Sequence, residues 1–252
     1  MTDKPLHWST LRNMAASPAH CKHYMDTRTE PTPAMRFGSL VHFHVLGPGP
    51  YNRTVVYDGA RRGKAWTEFK EQHPKAEIVT VAESDAAKVV ADAVLADPIA
   101  GAWLKLGKAE WTIDWMIGDR RCAGTPDRHD DAVLIDLKVT DPNPARFAWH
   151  AKKMMWHAQL AWYRDGIARA GGGPGPMTYI VAVNPKPPHC PVVYELSEAT
   201  LDLGRRIYSD CLNRFNACDE SDQWPGYTQC IQTLDIAEDE LELIIDGEEI
   251  TI

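Results

Sequence analysis

The sequence lacks any apolar run long enough for a membrane-spanning helix, which needs about 18 consecutive apolar residues. It also lacks the basic-then-apolar pattern of a secretion signal at its N-terminus, which reads MTDKPLHWST. We therefore expect a cytoplasmic protein with no membrane partner.

Closely paired cysteines are absent as well. The chain has 6 cysteines, and no two of them form a CxxC pair. Because structural zinc sites and small disulfide frameworks both need regular cysteine spacing, the sequence favours neither. We interpret the cysteines as reduced thiols.

The chain has no excess of positive charge. Its 35 acidic residues outnumber its 27 basic ones, and the formal net charge is -8. Phosphate binding depends on clustered lysine and arginine, so this balance argues against a protein that coats nucleic acid non-specifically. It leaves a local basic channel open, and carboxylates gathered around a metal ion would add to the same negative total.

Helical and strand periodicities alternate along the chain, which indicates an α/β fold with a central mixed sheet flanked by helices. Helix starts are marked at Ser17-Pro18 and by the capping box Thr80-x-x-Glu83, whereas residues 47–64 read as a loop. Further helices are predicted for RFGSLVHFHVLG, for residues 144–170 as one long helix, and for SEATLDLGRRIYSDCLNRFNAC.

Strand patterns cluster in the middle of the chain. Polar turns separate three of them, which predicts a meander of AEWTIDWMI, RRCAGTPDR and AVLIDLKVT. Two more strands are predicted for MTYIVAVN and PVVYEL. Near the C-terminus, Asp246-Gly247 separates two alternating runs and predicts a hairpin over about residues 240–252. This hairpin fits either a plain sheet edge or a strand pairing between subunits.

Acidic and basic side chains lie on one face of the third meander strand. Apolar and polar residues alternate along AVLIDLKVT, so Asp136 and Lys138 leave the same face. Asp127 follows Pro126 at the end of the neighbouring strand, and all three side chains can therefore meet at one point. The residues spell the PD-(D/E)XK motif literally. A solvated sheet edge with a surface ion pair is the alternative explanation.

Two carboxylates at this point favour a divalent cation. At a separation of about 4 Å they would repel by roughly 4 kcal/mol at an effective dielectric near 20, and a cation turns this repulsion into attraction. Oxygen ligands favour Mg²⁺ or Mn²⁺ over zinc. Lys138 could then orient the attacking water and offset charge on a scissile phosphate, which is the chemistry of phosphodiester hydrolysis.

Collinear motifs over residues 8–227 resemble RecE-type phage exonucleases, the exodeoxyribonuclease VIII family of the PD-(D/E)XK nuclease superfamily. The resemblance implies a single nuclease domain over residues 1–252, with its catalytic core at about 100–200. The motifs that carry it, besides PD and DLK, are STLRNMAASPAHCKHYM, FGSLVHFHVLGP, ARRGKAWTEF, GKAEWTIDW, QLAWYRDG and WPGY.

The resemblance also implies a ligand set for the metal. His42, in GSLVH, matches the histidine that joins the metal site, with Asp127 and Asp136 as the acids. The fourth expected ligand is the Leu137 carbonyl, since oxygen-rich ligands with one imidazole fit Mg²⁺ or Mn²⁺. From its pattern alone, a histidine such as His42 on an apolar helix is more often a hydrogen-bonded core residue than a metal ligand.

Three further positions match family residues that act at the site. Glu110, in KAEW, matches an acid at the start of the first core strand, and Gln159 and Tyr163 match a Q-x-x-x-Y signature. The spacing of the last two puts them on one helix face, where they could contact the phosphate or the water. Glu110 could instead cap the sheet, and Gln159 with Tyr163 could be an ordinary inward-facing pair.

The function that the resemblance implies is metal-dependent digestion of double-stranded DNA from an end. The expected polarity is 5′ to 3′, leaving single strands for an annealing recombinase in phage-type recombination, inside a bacterial host. The expected assembly is a homo-oligomeric ring around the DNA, which would need only a few cations in its channel. An endonuclease with the same site and a non-catalytic DNA-end binding module are the alternatives. Candidate channel cations are Arg53, Arg61, Arg62, Lys64 and Arg146.

Departures from related patterns concern cysteine spacing and one basic position. Some relatives hold an iron–sulfur cluster with one early and three late cysteines, and here the order is present without the tight late spacing. The position before Pro126 is Thr125, where relatives often carry a basic residue. The cysteines in question are Cys21, Cys211, Cys218 and Cys230.

Overall fold

The computed structural model describes residues 4–27, 30–49, 53–171, 173–228, 230–233, 242–245 and 248–251. Within these ranges the helices are α1 (Trp8–Leu11), α2 (Pro18–Asp26), α3 (Pro33–Leu46), α4 (Gly63–Gln72), α5 (Val81–Ala96), α6 (Ala100–Trp103), α7 (Pro144–Lys153), α8 (Trp156–Gly171) and α9 (Glu198–Ser221), with a 3₁₀ turn at Arg12–Ala15. The strands are β1 (Leu6–His7), β2 (Thr54–Tyr57), β3 (Glu77–Thr80), β4 (Lys108–Ala109), β5 (Ile113–Ile117), β6 (Arg120–Gly124), β7 (Arg128–His129), β8 (Val133–Val139), β9 (Met177–Val183), β10 (Pro191–Glu195), β11 (Glu242–Ile245) and β12 (Glu248–Thr251).

The central sheet has the strand order β10-β9-β8-β7-β4. The pair β8 and β9 is parallel and the other pairs are antiparallel, so the sheet is mixed. A second sheet has the order β1-β6-β5. Helices lie on both sides, and the predicted α/β class with a mixed sheet flanked by helices is confirmed.

The two faces of β8 bury different neighbours. Ile135 and Leu137 belong to one core cluster, which also contains residues of α3 and α5. Leu134 belongs to the other cluster, with residues of α8 and α9. Because side chains alternate along a strand, Asp136 and Lys138 share the face of Leu134 and point towards α8. The period-2 pattern thus places the two charged residues between the sheet and α8.

The predicted three-strand meander is wrong in one respect, because its strands are divided between two sheets. RRCAGTPDR forms β6, which pairs with β5, and then β7, which pairs with β8. Pro126 lies between them and has no N–H to donate to a ladder. AEWTIDWMI is divided in the same way into β4 and β5, and Glu110 has a φ of 44° at the turn between them.

The predicted single helix over residues 144–170 is also wrong. Met155 has a φ of 56°, which ends α7 and starts α8 on a new axis. A non-glycine residue rarely adopts this conformation, and it has no signature in the sequence. The break buries Trp156, which is only 8% exposed. It leaves Trp149 on α7 exposed, at 64% of its surface.

Other local predictions divide into confirmed and corrected ones. Ser17 caps α2, and the capping box of Thr80 and Glu83 is formed in full. The expected loop over residues 47–64 contains β2, which pairs in parallel with β3 across α4. The C-terminal hairpin is present as β11 and β12, and its Asp246-Gly247 turn lies outside the described residues. Of the helices that the structure describes, none combines the length and apolar character needed to cross a membrane.

A charged network ties α8 to α9 and makes the stability of the fold depend on pH. Arg205 donates to both carboxylate oxygens of Asp165, over 2.7 and 2.9 Å, and Tyr208 also donates its hydroxyl hydrogen to Asp165. Burial raises the pKa of Asp165, but the hydrogen bonds from Arg205 and Tyr208 outweigh it and hold that pKa below its ordinary value of 3.8. The network therefore contributes stability above about pH 3.8, and the contribution is lost as the pH falls further.

We expect Asp165→Asn to lower the free energy of unfolding at pH 7 by roughly 1.5–3 kcal/mol, the usual contribution of hydrogen bonds to a charged group. The deficit should shrink when unfolding by urea is measured below the pKa of Asp165. Asp210→Asn, which removes an exposed partner of Arg214 at 3.7 Å, is the matched control and should change little. An equal deficit at both pH values would contradict this assignment.

Candidate active site

The PD and DLK motifs meet through a backbone hydrogen bond. The Leu137 N–H donates to Oδ2 of Asp127 over 2.6 Å, which docks the Asp127 side chain on β8 between Asp136 and Lys138. Asp136 is almost fully buried and Asp127 is 14% exposed at its side chain. The structure therefore brings the three motif residues together, as the sequence predicts.

Lys138 connects the sheet to α8. Its ammonium nitrogen lies 2.5 Å from Oδ2 of Asp136, at an angle outside that of a hydrogen bond, and donates to Oε1 of Gln159 over 3.1 Å. Nε2 of Gln159 donates in turn to the Tyr163 hydroxyl over 3.2 Å. Gln159 and Tyr163 thus share one helix face, and both of them are directed to Lys138.

His42 approaches the acids from α3. Its Nδ1 lies 3.3 Å from Oδ1 of Asp127, in ion-pair range. His44 lies on a different face of α3 from His42 and shares a hydrogen bond of 3.1 Å with Ser84. This contact fits a structural role for His44. His42 belongs to the site, and the site holds His42, Asp127 and Asp136 from three separate segments.

Burial and mutual charge set the protonation of the two acids. Burial raises the pKa of Asp127, but the attraction and hydrogen bond of His42 outweigh it, with Lys138 and the Leu137 N–H adding to them, and this pKa is lowered. The pKa of Asp136 is raised, because burial and the charge of Asp127 outweigh the attraction of Lys138. Asp136 is thus the acid whose negative charge is least compensated.

The hydroxyl of Tyr163 stays protonated over the whole physiological range. Burial raises its pKa, and the charges of Asp136 and Asp127 raise it further against the hydrogen bond from Gln159. A protonated hydroxyl in this position is available as a hydrogen-bond donor. The site therefore presents one ammonium, one amide and one hydroxyl on the α8 side of the acids.

Glu110 lies at the same site on the other side of Asp127. Its backbone N–H donates to the Asp127 carbonyl over 3.0 Å, and its Oε2 is buried without a hydrogen-bond partner. Burial raises the pKa of Glu110, and the charge of Asp127 raises it further, while His42 lowers it. The Glu110 carboxyl thus lies close enough to Asp127 and His42 for their charges to act on it.

The donor atoms fit a hard divalent cation in chemistry. Carboxylate oxygens predominate, and Oε2 of Glu110 is buried without a hydrogen-bond partner. A cation is the kind of partner that such an oxygen lacks. In the part of the chain that the structure describes, no three His, Cys, Asp or Glu side chains are already gathered in the arrangement of a metal site. The Lys138 ammonium is the cation nearest to Asp136 in this structure.

The cysteines lie away from this site. Cys21, on α2, and Cys211 and Cys218, on α9, are buried, and Cys230 is exposed. Burial raises the pKa of Cys21 to about 12 and that of Cys211 to about 11, so both are protonated thiols. The charges of Cys211 and Cys218 also raise the pKa of Cys21, but among the described residues no three cysteines are placed to hold a metal ion.

Trp156 is a site residue that sequence reasoning missed. Its ring lies 5.5 Å from the Lys138 ammonium, and it packs edge-on against His150 with centroids 5.0 Å apart. His150 shares a hydrogen bond of 3.3 Å with Thr140. The signal was the spacing of Trp156 three residues before Gln159, but a continuous helix over residues 144–170 hid its special position at the helix start.

The fold, together with the motif residues Asp136 and Lys138 on β8, places the chain in the class of PD-(D/E)XK-type proteins. The chain belongs to the family described as "PDDEXK-like domain of unknown function (DUF3799)", whose profile matches residues 8–236. The predicted membership of the PD-(D/E)XK superfamily is confirmed. The match supports a nuclease, and PD-(D/E)XK nucleases in general use divalent metal ions.

Comparison with one solved structure supports the same fold. The crystal structure of a "putative exonuclease" from Eubacterium rectale matches with a TM-score of 0.63 and 13% identity, covering 96% of this chain and 94% of that one. The alkaline exonuclease LHK-Exo from Laribacter hongkongensis matches with a TM-score of 0.38 and 13% identity, covering 86% and 90% of the two chains. Its complex with dAMP matches with a TM-score of 0.37 and 14% identity over the same shares. None of the curated proteins compared with the sequence matches it.

Proposed function

We propose that the protein is a divalent-metal-dependent deoxyribonuclease that digests double-stranded DNA from an end. The observation that carries this proposal is the meeting of Asp127, Asp136 and Lys138 at β8, where the Lys138 ammonium lies 2.5 Å from Asp136 and Asp127 accepts a hydrogen bond from the Leu137 N–H between them. A surface ion pair would be solvated, whereas Asp136 and Lys138 are only 4% and 16% exposed at their side chains.

The residues that would hold Mg²⁺ or Mn²⁺ are Asp127, Asp136, His42 and the Leu137 carbonyl. When bound, such an ion makes water a better nucleophile and neutralises charge that develops on the phosphate. The raised pKa of Asp136 reports an acid whose charge is poorly compensated, and Glu110 adds a further carboxyl on the other side of Asp127. The ligand set is thus supported by chemistry and by burial.

On the α8 side, the chain's own groups would position the reactants. The Lys138 ammonium would orient the attacking water and stabilise negative charge on the scissile phosphate. Gln159 holds Lys138, and the Tyr163 hydroxyl holds Gln159, which restricts the Lys138 side chain to one direction. Trp156 covers the ammonium from the remaining side.

The finer assignments come from the resemblance to RecE-type exonucleases. They comprise entry at a duplex end, 5′ to 3′ polarity, a homo-oligomeric ring, and supply of single strands to an annealing recombinase during phage-type recombination in the bacterial cytoplasm. A ring would reconcile a net charge of -8 with DNA binding, since cations need to line only the channel.

The proposed mode of attack is tested with two forms of the same DNA. With Mg²⁺ present, we expect linear duplex to be consumed and the covalently closed circle of the same sequence to survive, because a circle offers no end. A label at the 5′ end of one strand should be released early as mononucleotide. Rapid linearisation of the circle would overturn end-dependent attack and support the endonuclease. A chain that leaves both DNAs intact but binds the ends of the linear duplex would be the non-catalytic module.

Removal of the Tyr163 hydroxyl should have a mild effect. Tyr163→Phe deletes one hydrogen bond to Gln159, which is worth about 1 kcal/mol, so we expect the turnover of linear duplex to fall roughly fivefold. Steady-state release of nucleotides measures this change. A loss as complete as that of a variant without Lys138 would contradict the indirect role and make Tyr163 a direct participant.

A further inference from the structure

A groove opens beside the active site, between α3 and the unit formed by β2, α4 and β3. Its volume is about 420 Å³. That lies within the range of small-molecule sites, about 300–1,000 Å³. The residues that line it include Phe43, Gly49, Arg53, Gln72, His73 and Lys75.

Gly49 links the groove directly to the catalytic acids. A Cβ atom built on Gly49 would lie 1.5 Å from Oε2 of Glu110, so the groove backbone and the Glu110 carboxyl are packed without room for any side chain. The backbone N–H of Glu110 in turn donates to the Asp127 carbonyl over 3.0 Å. Phe43, on the groove wall, follows His42 along α3. A ligand in the groove therefore lies next to the proposed site of hydrolysis.

Two exposed cations flank the groove. Within the described residues, neither Arg53 nor Lys75 forms an ion pair, although the chain carries a net charge of -8. Arg61, on the same unit, differs from them because it pairs with Glu83 at 3.2 Å. Lysine and arginine side chains with no acidic partner are the groups that phosphates attract.

Aromatic rings form part of the wall, and they are held in place. The ring of His73 packs on Phe69 with centroids 4.5 Å apart, and Phe69 packs on Tyr57 with centroids 4.7 Å apart. His73 and Phe43 are half-buried, so each keeps part of its ring towards the groove. Rings that are fixed in this way provide stacking surfaces for a base at little entropic cost.

We propose that this groove binds an unpaired nucleotide of the DNA strand beside the scissile phosphate. Arg53 and Lys75 contact the phosphates, and Phe43 and His73 contact the base. The size of the groove fits one nucleotide and not a duplex, and the combination of cations and rings is that of single-strand binding sites. This inference rests on the proposed function in one respect, the position of the scissile phosphate.

The test measures DNA binding by fluorescence anisotropy in EDTA, where hydrolysis is stopped. The probes are a labelled blunt duplex and the same duplex with a short unpaired tail. We expect the double variant Arg53→Gln, Lys75→Gln to weaken binding of the tailed duplex, to reduce its salt dependence by about two ion equivalents, and to leave blunt-duplex binding unchanged. His73→Ala should weaken the tailed complex roughly fivefold or more through lost stacking.

Matched charges provide the control. Lys22→Gln, Lys88→Gln removes two exposed cations, both of them paired with acids and neither of them in the groove, and should leave both affinities near those of the unmodified chain. Equal weakening of the blunt and tailed duplexes by the Arg53 and Lys75 variant would show general attraction only and overturn the proposal, as would unchanged affinity for both. Because binding in EDTA needs no hydrolysis, a chain that shows this tail preference but never cleaves DNA refutes the proposed function and leaves the groove assignment standing.

Discussion

Replacing Lys138 by alanine should reduce hydrolysis of linear duplex DNA by about 10²- to 10³-fold, the usual cost of removing one group that stabilises developing charge. DNA binding should stay close to that of the unmodified chain, because one ammonium adds little to the total attraction of phosphates. Lys138 contacts Asp136, Gln159 and Trp156 together, so its removal changes the site at the point where the phosphate would react.

Turnover and binding must be measured on the same preparation. Nucleotide release gives the rate, anisotropy in EDTA gives the affinity, and circular dichroism shows that Lys138→Ala folds despite the loss of a partner of Asp136. Lys88→Ala removes an exposed lysine paired with Asp92 on α5 and serves as the matched control. A Lys138→Ala chain that turns over DNA at the normal rate would exclude this mechanism and favour a different site.

The second large effect concerns the metal. Asp127→Asn removes one negative charge, while its amide oxygen can still accept the hydrogen bond from the Leu137 N–H, so the fold of the site should persist. We expect the affinity for Mn²⁺ to fall roughly 100-fold or more, since even groups outside the ligand shell are worth about 10- to 100-fold. Hydrolysis at ordinary metal concentrations should fall with it.

Isothermal titration with Mn²⁺ in the absence of DNA measures this affinity without relying on activity. Asp92→Asn removes an exposed carboxylate from a surface ion pair and should leave the titration unchanged. If Asp127→Asn binds Mn²⁺ as tightly as the unmodified chain, the ligand set of His42, Asp127 and Asp136 is wrong, whatever the activity of the variant.

Much of the site was predictable from sequence because its main features are local. The alternation along β8 is a period-2 pattern, and it places Asp136 and Lys138 on one face whatever the rest of the fold does. The spacing of Gln159 and Tyr163 is a helical pattern of the same kind. A helix cap depends on one side chain and one backbone N–H, so it can be predicted locally. The structure contains the predicted Ser17 cap of α2.

Features that depend on distant contacts were not predictable. The break at Met155 requires an unfavourable φ that tertiary packing must compensate, so nothing in residues 144–170 marks it. The division of the meander between two sheets depends on which strands find partners, as when β1 pairs in parallel with β6. Trp156 starts α8 after the break at Met155, so a continuous helix over residues 144–170 hid its place beside Lys138.

The central claim, metal-dependent hydrolysis of DNA at Asp127, Asp136 and Lys138, is tested most directly by one digestion. Linear duplex DNA is incubated with the unmodified chain and with Asp136→Asn, each with Mg²⁺ and each with EDTA, and acid-soluble nucleotide is measured. We expect release only by the unmodified chain with Mg²⁺, the variant serving as a control against a contaminating nuclease. Equal release by both chains, release that persists in EDTA, or no release by the unmodified chain would contradict the claim.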